Sequence, residues 1–332
     1  MLTIKVSTNF DWCLERQTPF NSGIWGGCRF LINQEVSECD YWVVFDGLLK
    51  SETTKCHRKN TLLITGEPPD VKGYEKRFLG QFATVLTCNR HLKHNNLIFD
   101  QIALPWLIGA ELNPSSRFNG KCMSYEELSQ HVDEKKRLLS VVVSNRQATK
   151  GHVKRSEFID KLVGVIGNEI DVYGFGRQPV PNKWDVIAPY KYHLAIENSV
   201  TADYWTEKLA DAFLGEAMPI YHGCPNIYEY FPIDSIVCID IDKPDEAIDT
   251  IVNMIRSDYW LKNRESVLAA KQKVMFDYNF FNVIEQIVKL KLKHEMSNNM
   301  SQTITIFPEA NYQGGILKKF LHRFIKVGGD VY

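Results

Sequence analysis

Residues 190–223 read YKYHLAIENSVTADYWTEKLADAFLGEAMPIYHG. The apolar run Tyr190–Ile196 stops at Glu197-Asn198, and the segment from Tyr204 to Leu214 then sets Leu209, Ala210, Phe213 and Leu214 on one helical face. A second apolar run, AMPIYH, follows. Strand, helix and strand in so short a stretch form the βαβ unit of a parallel sheet. The helix starts with an electrostatic problem: Lys208 lies in its first turn, where unpaired N–H groups and the macrodipole already make that end positive. A cation there needs something negative beside it.

Outward from this unit the alternation continues. Upstream stand the strand RLLSVVVSN (137–145), the helix HVKRSEFIDKLVGVI (152–166) and the strand EIDVYGFG (169–176); downstream come SIVCIDI (235–241) and the helix PDEAIDTIVNMIRS (244–257). This order predicts a doubly wound parallel sheet whose ligand lies beyond the carboxyl ends of its strands, so the loops after VVVSN, DVYGFG and LAIEN share a rim. Two long helical patterns follow at 261–279 and 280–296. In the first half, TIKVST (3–8), YWVVFDG (41–47), TLLIT (61–65), TVLTC (84–88) and QIALPWLI (101–108) read as buried strands of another α/β domain. The polar stretch 113–136 reads as the linker between the two. The expected domains are 1–137, 138–300 and a tail at 301–332.

The 332 residues carry 39 Lys and Arg against 40 Asp and Glu, a net charge of −1, so no global field recruits nucleic acid. Eight cysteines without a C-x-x-C pair suit reduced, core-filling thiols in the cytoplasm. No run approaches the roughly 18 apolar residues of a spanning helix. Near the end, ILKKFLHRFIKV puts Ile316, Leu317, Phe320, Leu321, Phe324 and Ile325 on one stripe and Lys318, Lys319, His322, Arg323 and Lys326 on the other. A basic amphipathic helix of this kind either lies on an anionic membrane surface, here the inner face, or packs its apolar side on the domain.

Glu207 and Lys208 sit at the ligand-facing start of the helix. Lys208 with free helix N–H groups would make a diphosphate clamp, and Glu207 can accept from sugar hydroxyls; taken alone, T-E-K reads more readily as an exposed charge pair. The neighbouring residues decide between these. The succession E-N-S at 197–199, Y-x-T-E-K at 204–208, P-I-Y-x-G at 219–223 and the strand after it resembles the donor-binding signature of the family 10 glycosyltransferases, the α-1,3/4-fucosyltransferases, over roughly residues 138–257.

The resemblance implies a GT-B-like fold of two Rossmann-like domains facing across a cleft, an inverting transfer of fucose from GDP-fucose to a glycan hydroxyl, and no metal requirement. It places Asn198 and Tyr204 along the donor, Glu207 on its hydroxyls and Lys208 on its phosphates. Arg155 falls in the frame of a diphosphate-binding arginine after the strand end Ser144-Asn145, with Arg146 a second arginine for that role. Glu67, in LLITGEPPDV, is similar to the glutamate of a T-G-E-N run in bacterial members and inherits the part of general base. The family's bacterial members make a surface glycan such as lipopolysaccharide a plausible acceptor.

Inverting displacement of GDP needs a base on the acceptor hydroxyl and cations on the departing diphosphate, which Glu67, Arg155 and Lys208 supply. The competing D-x-D at Asp240 and Asp242 lies where a strand turns into a helix N-terminus, so it reads as capping rather than as a Mn²⁺ site. Gly174 and Gly176 read as a tight turn or a close approach to the donor, His193 and His222 as core or rim histidines, and the glycines around Trp25 as a packed turn. Two other readings stay open: the same scaffold with another nucleotide sugar, and a non-catalytic nucleotide- or glycan-binding protein.

Overall fold

The computed structural model describes residues 1–10, 12–112, 118–132, 134–143, 150–174, 178, 180, 182–294 and 301–312. The chain forms two compact units: one of Met1–Pro105 with the described residues from Tyr278 onward, the other of Trp106–Asp277.

The first unit contains β1 (Leu2–Thr8), β2 (Ile24–Trp25), β3 (Cys28–Ile32), β4 (Tyr41–Phe45), β5 (Glu52–Cys56), β6 (Thr61–Ile64), the short helix α1 (Lys76–Leu79), β7 (Thr84–Thr87) and β8 (Leu97–Phe99). Its main sheet runs β2-β3-β1-β4-β6-β7-β8, parallel throughout except at the β2/β3 hairpin. Every residue of β4, β6 and β7 is buried, as expected where a parallel sheet is covered on both faces. One side of the core gathers Trp42, Val44, Leu63, Phe78, Phe82 and Val85. The run QIALPWLI is not a strand: Ala103 turns through φ +45° and Pro105 lacks the N–H that a ladder needs.

The second unit begins with the hairpin β9 (Ala110–Leu112) and β10 (Phe118–Cys122), then α2 (Tyr125–Ser129) with a reciprocal Ser124/Glu127 capping box. Its sheet is made of β11 (Arg137–Val143), β12 (Ile170–Gly174), β13 (Tyr190–Ile196), β14 (Met218–His222) and β15 (Val237–Cys238), with helices α3 (Lys150–Ile166), α4 (Trp184–Ile187), α5 (Glu207–Leu214), α6 (Pro244–Arg256), α7 (Tyr259–Lys262) and α8 (Arg264–Met275). The strand order is β12-β11-β13-β14-β15, all parallel. Numbered within the unit this is 2-1-3-4-5, the flavodoxin-like order, and it reverses direction between β11 and β13. The expected α/β class, with two Rossmann-like parallel sheets, is what the chain forms.

The unit boundary lies at 105/106, upstream of the sequence-based division at 137/138. The stretch read as a linker is held by the second unit: Lys271 Nζ donates to the Gln130 carbonyl at 2.6 Å, and His131 Nδ1 lies 3.2 Å from Glu216 Oε1. The chain leaves that unit again at 277/278, where α9 (Phe280–His294) returns to the first. Trp25 Nε1 donates to Asn282 Oδ1 at 3.1 Å, Gly27 N–H to Glu285 Oε1 at 2.8 Å, and Phe281 meets Phe30 edge-on at 4.8 Å. A last strand, β16 (Gln302–Ile306), pairs antiparallel with β5. The amphipathic segment 316–326 lies outside the described residues. Among the described residues no helix is long and apolar enough to cross a membrane.

Candidate functional site

The reversal point of the second sheet is the carboxyl end of β11 and β13. Ser144, Asn145 and Arg146, directly after β11, lie outside the described residues, as does Gly176. Beside β11, β13 runs straight into Glu197 and Asn198. Arg155 projects from α3, is only 5% exposed, and donates from Nη1 to Asn198 Oδ1 at 3.0 Å. Burial works against its charge, which the nearby carboxylates of Glu197 and Glu207 support.

α5 answers the question of its misplaced cation. Thr206 is the N-cap, its Oγ1 accepting the Lys208 N–H at 3.3 Å. Lys208 Nζ lies 3.1 Å from Glu207 Oε1 and 3.5 Å from Glu197 Oε2. Burial alone would depress the lysine, but the two carboxylates outweigh it and raise its pKa. Glu207 is pushed up by burial yet held down, to about 2, by Lys208 and Lys183. Glu197 goes the other way: burial raises its pKa in spite of Lys208 and of the Thr206 N–H and hydroxyl, which bond its Oε1 at 2.7 and 2.9 Å. One correction concerns the helix end. The N–H groups of Leu209 and Ala210 both donate to the Thr206 carbonyl, at 3.1 Å each. With Lys208 N–H taken by the cap, the N–H groups at 208–210 are engaged within the chain, and the free N–H groups expected at this helix end are absent at those positions.

In the sequence Glu197 is only the first letter of E-N-S. Its signal was positional, a carboxylate immediately after a buried strand at the rim where ligands bind. It organises the whole corner. Gly223 must be glycine, because a Cβ there would stand 2.5 Å from Glu197 Cγ and 2.5 Å from the Tyr221 hydroxyl. The loop from Asn198 to Thr206 is pinned at Asp203, which has φ +64° and accepts from Asn226 Nδ2 at 2.8 Å and from the Tyr230 hydroxyl at 2.9 Å. Tyr204 lies on this loop, 3% exposed. A second buried pair, Lys183–Asp211 at 2.8 Å, braces α5 from below, and Asp211 also accepts the Leu107 N–H. Arg155, Asn198, Glu207 and Lys208, read separately from the sequence, are thus brought together.

The remaining residues fall elsewhere. Gly174, at φ +114°, would push a Cβ to 1.9 Å from the Val143 carbonyl oxygen, so it serves the close approach of β11 and β12. His193 is buried in the sheet, its Nδ1 2.8 Å from the hydroxyl of Ser140, its register partner, and burial drives its pKa down to about 3. His222 Nδ1 lies 3.1 Å from the Ile239 carbonyl. Asp242 is an exposed partner of Lys154 at 2.7 Å. Among the described residues, no group of three His, Cys, Asp or Glu side chains could hold a metal ion.

Glu67 belongs to the first unit, directly beyond the carboxyl end of β6. The preceding Gly66 N–H donates to the Tyr74 hydroxyl at 3.0 Å and to Asp46 Oδ1 at 3.3 Å. On the other side, the Pro68 carbonyl accepts from Val71 and Lys72 N–H at 3.0 and 3.1 Å, closing a tight loop.

With this geometry in hand, residues 132–262 match the model of glycosyltransferase family 10 (fucosyltransferase), C-terminal part. Over these residues the chain is similar to the C-terminal part of the family 10 glycosyltransferases. The match contains the whole cluster from Arg155 to Gly223. The chain is also 35% identical over 121 residues to a cattle (Bos taurus) protein named 4-galactosyl-N-acetylglucosaminide 3-alpha-L-fucosyltransferase 9, covering 35% of this chain and 32% of that one. It is 40% identical over 73 residues to Alpha-(1,3)-fucosyltransferase FucT of Helicobacter pylori, covering 22% of this chain and 15% of that one. The chain therefore spans a third or less of the length of these relatives. A crystal structure of an alpha1,3-fucosyltransferase with GDP-fucose superposes with a TM-score of 0.49 at 18% identity, covering 91% of this chain and 93% of that one.

Proposed function

We propose that the protein transfers fucose from GDP-fucose to a hydroxyl of a glycan acceptor, with inversion at the anomeric carbon. The observation that carries this reading is the buried cluster at the reversal point of the second sheet, where Arg155 and Lys208 share the carboxylates of Glu197 and Glu207. Arg155 and Lys208 hold the diphosphate, Glu207 accepts from the sugar hydroxyls, and Asn198 and Tyr204 line the donor.

The reaction asks little else of the chain. Glu67 takes the proton from the acceptor hydroxyl, whose oxygen forms the new bond to the anomeric carbon as the bond from that carbon to the β-phosphate oxygen breaks. GDP leaves with its electron pair, and the charge that grows on it falls to the two cations, which are most effective because they are desolvated and already in place. The arrangement needs no metal to balance the leaving group.

Thermal shift with GDP-fucose, GDP-mannose and a series of UDP-sugars tests the donor. Stabilisation by GDP-fucose above the others is expected; stabilisation by a UDP-sugar alone overturns the fucosyl assignment. Binding without transfer to any galactosyl-N-acetylglucosamine acceptor would favour a non-catalytic binding protein.

A further inference from the structure

The loop that carries Glu67 is built on a polar cluster that the proposed chemistry leaves unused. Asp46, directly after β4, takes a left-handed φ of +58° so that its side chain turns under the neighbouring strand end. Its Oδ1 accepts from the Tyr74 hydroxyl, from Lys72 Nζ at 2.9 Å and from the Gly66 N–H at 3.3 Å. Lys72 Nζ also reaches the Asp46 carbonyl at 2.9 Å and lies 4.5 Å from the centre of the Tyr74 ring. The Tyr74 hydroxyl is used twice, donating to Asp46 and accepting the Gly66 N–H at 3.0 Å.

Two of these bonds, to the Tyr74 hydroxyl and to Asp46 Oδ1, meet on the Gly66 N–H, in the Thr65–Gly66 peptide one residue before Glu67, and Lys72 holds the aspartate from its other side. Gly66 is pressed so closely on Asp46 that an added Cβ would stand 2.9 Å from the aspartate's Cβ and 3.1 Å from its Oδ1. A surface turn that only had to cross from β6 to α1 would not need a buried tyrosine, a carboxylate and an ammonium beneath one N–H, because water can satisfy an exposed turn. Tyr74 is 9% exposed, and burial, Asp46 and the charge of Glu67 all push its pKa far up, so it stays a protonated donor beside the glutamate.

We propose that Tyr74 is a positioning residue for Glu67: through Gly66, with Asp46 and Lys72 holding the tyrosine in turn, it fixes the height and direction from which the Glu67 carboxylate meets the acceptor hydroxyl. This rests on the reading of Glu67 as the base. A base displaced by a fraction of an ångström loses rate far faster than the protein loses stability, which is a reason to anchor the Gly66 N–H on Tyr74 and Asp46 together.

The test is a double-mutant cycle on fucose transfer from radiolabelled GDP-fucose to N-acetyllactosamine, each variant normalised to the fraction that binds GDP. Glu67→Gln comes first: if transfer persists undiminished, the base assignment itself is wrong. If it collapses, Tyr74→Phe is expected to lower kcat about tenfold with KM for GDP-fucose unchanged. In the Glu67→Gln background the same change should alter the residual rate less than about twofold, since a tyrosine that acts through Glu67 has nothing left to position. Should that residue of activity be undetectable, Glu67→Asp takes its place, and strong non-additivity is again expected. Equal losses in both backgrounds, or no loss in Tyr74→Phe, overturn the proposal while leaving Glu67 as base.

Discussion

Lys208 Nζ stands 3.5 Å from Glu197 Oε2, so the cation at the start of α5 is answered by the carboxylate at the end of β13. The pair is largely desolvated, 22% and 0% exposed, and Lys208 has a second anion in Glu207. It forms within the free protein and does not depend on a ligand. A diphosphate arriving at this corner competes with two carboxylates for the same ammonium.

Replacing that ammonium should therefore separate binding from folding. For Lys208→Ala, calorimetric titration should show GDP bound roughly tenfold to a hundredfold more weakly, the range of one charge-assisted hydrogen bond. The melting temperature should also fall, because Glu197 and Glu207 lose their cation. Unaltered GDP affinity would return Lys208 to a structural role.

Proton release and uptake report on Glu197. Burial already raises its pKa, and an incoming diphosphate adds negative charge to its surroundings and raises it further. Binding of GDP should thus take up protons at mildly acidic pH, and Glu197→Gln should abolish the uptake. Calorimetry in two buffers of different ionisation enthalpy measures the number directly; net release would contradict this picture of the corner.

Gly223 offers a steric route to the same place. Gly223→Ala puts a methyl 2.5 Å from Glu197 Cγ, and relieving it must shift either the carboxylate or Tyr221. A loss of about 1–3 kcal/mol in urea unfolding is expected, as for other overpacked sites, together with weakened GDP binding. Gly164, whose added Cβ would meet nothing within 4 Å, supplies the control variant.

Acid should unfold the second unit in part through His193. Its pKa is about 3 when folded against the ordinary 6.5, so between those values the unfolded chain binds a proton that the folded chain does not. Stability then rises with pH across that window and is lost as pH falls from 6.5 toward 3. His193→Gln should flatten the dependence, read as the urea midpoint at pH 7 and pH 4.5.

Much of this was legible in the sequence because the second unit obeys local rules. Apolar runs ending at Asn145 and Glu197, a helix beginning at T-E-K and a turn at P-I-Y-x-G each carry their own signal, and together they put Glu207 and Lys208 on the ligand rim; Arg155 and Asn198 join them only through the family resemblance. Other features depend on contacts far apart in sequence. Glu197 could not be seen as the partner of Lys208 until the loop between them was closed by Asp203 and Asn226. α9 looks like any amphipathic helix, and only Trp25, Gly27 and Phe30, some 250 residues earlier, assign it to the first unit. The segment 101–108 is apolar because it is buried, not because it is a strand. The Asp46–Tyr74–Gly66 cluster had no pattern at all, since its members meet only through the left-handed turn at Asp46.

The most direct test is transfer itself. Wild-type protein incubated with GDP-β-L-fucose and N-acetyllactosamine should give an α-linked fucosylated product, identified by NMR of the anomeric proton, and Glu67→Gln should give none while still binding GDP-fucose. A β-linked product, or full transfer by Glu67→Gln, would contradict the account.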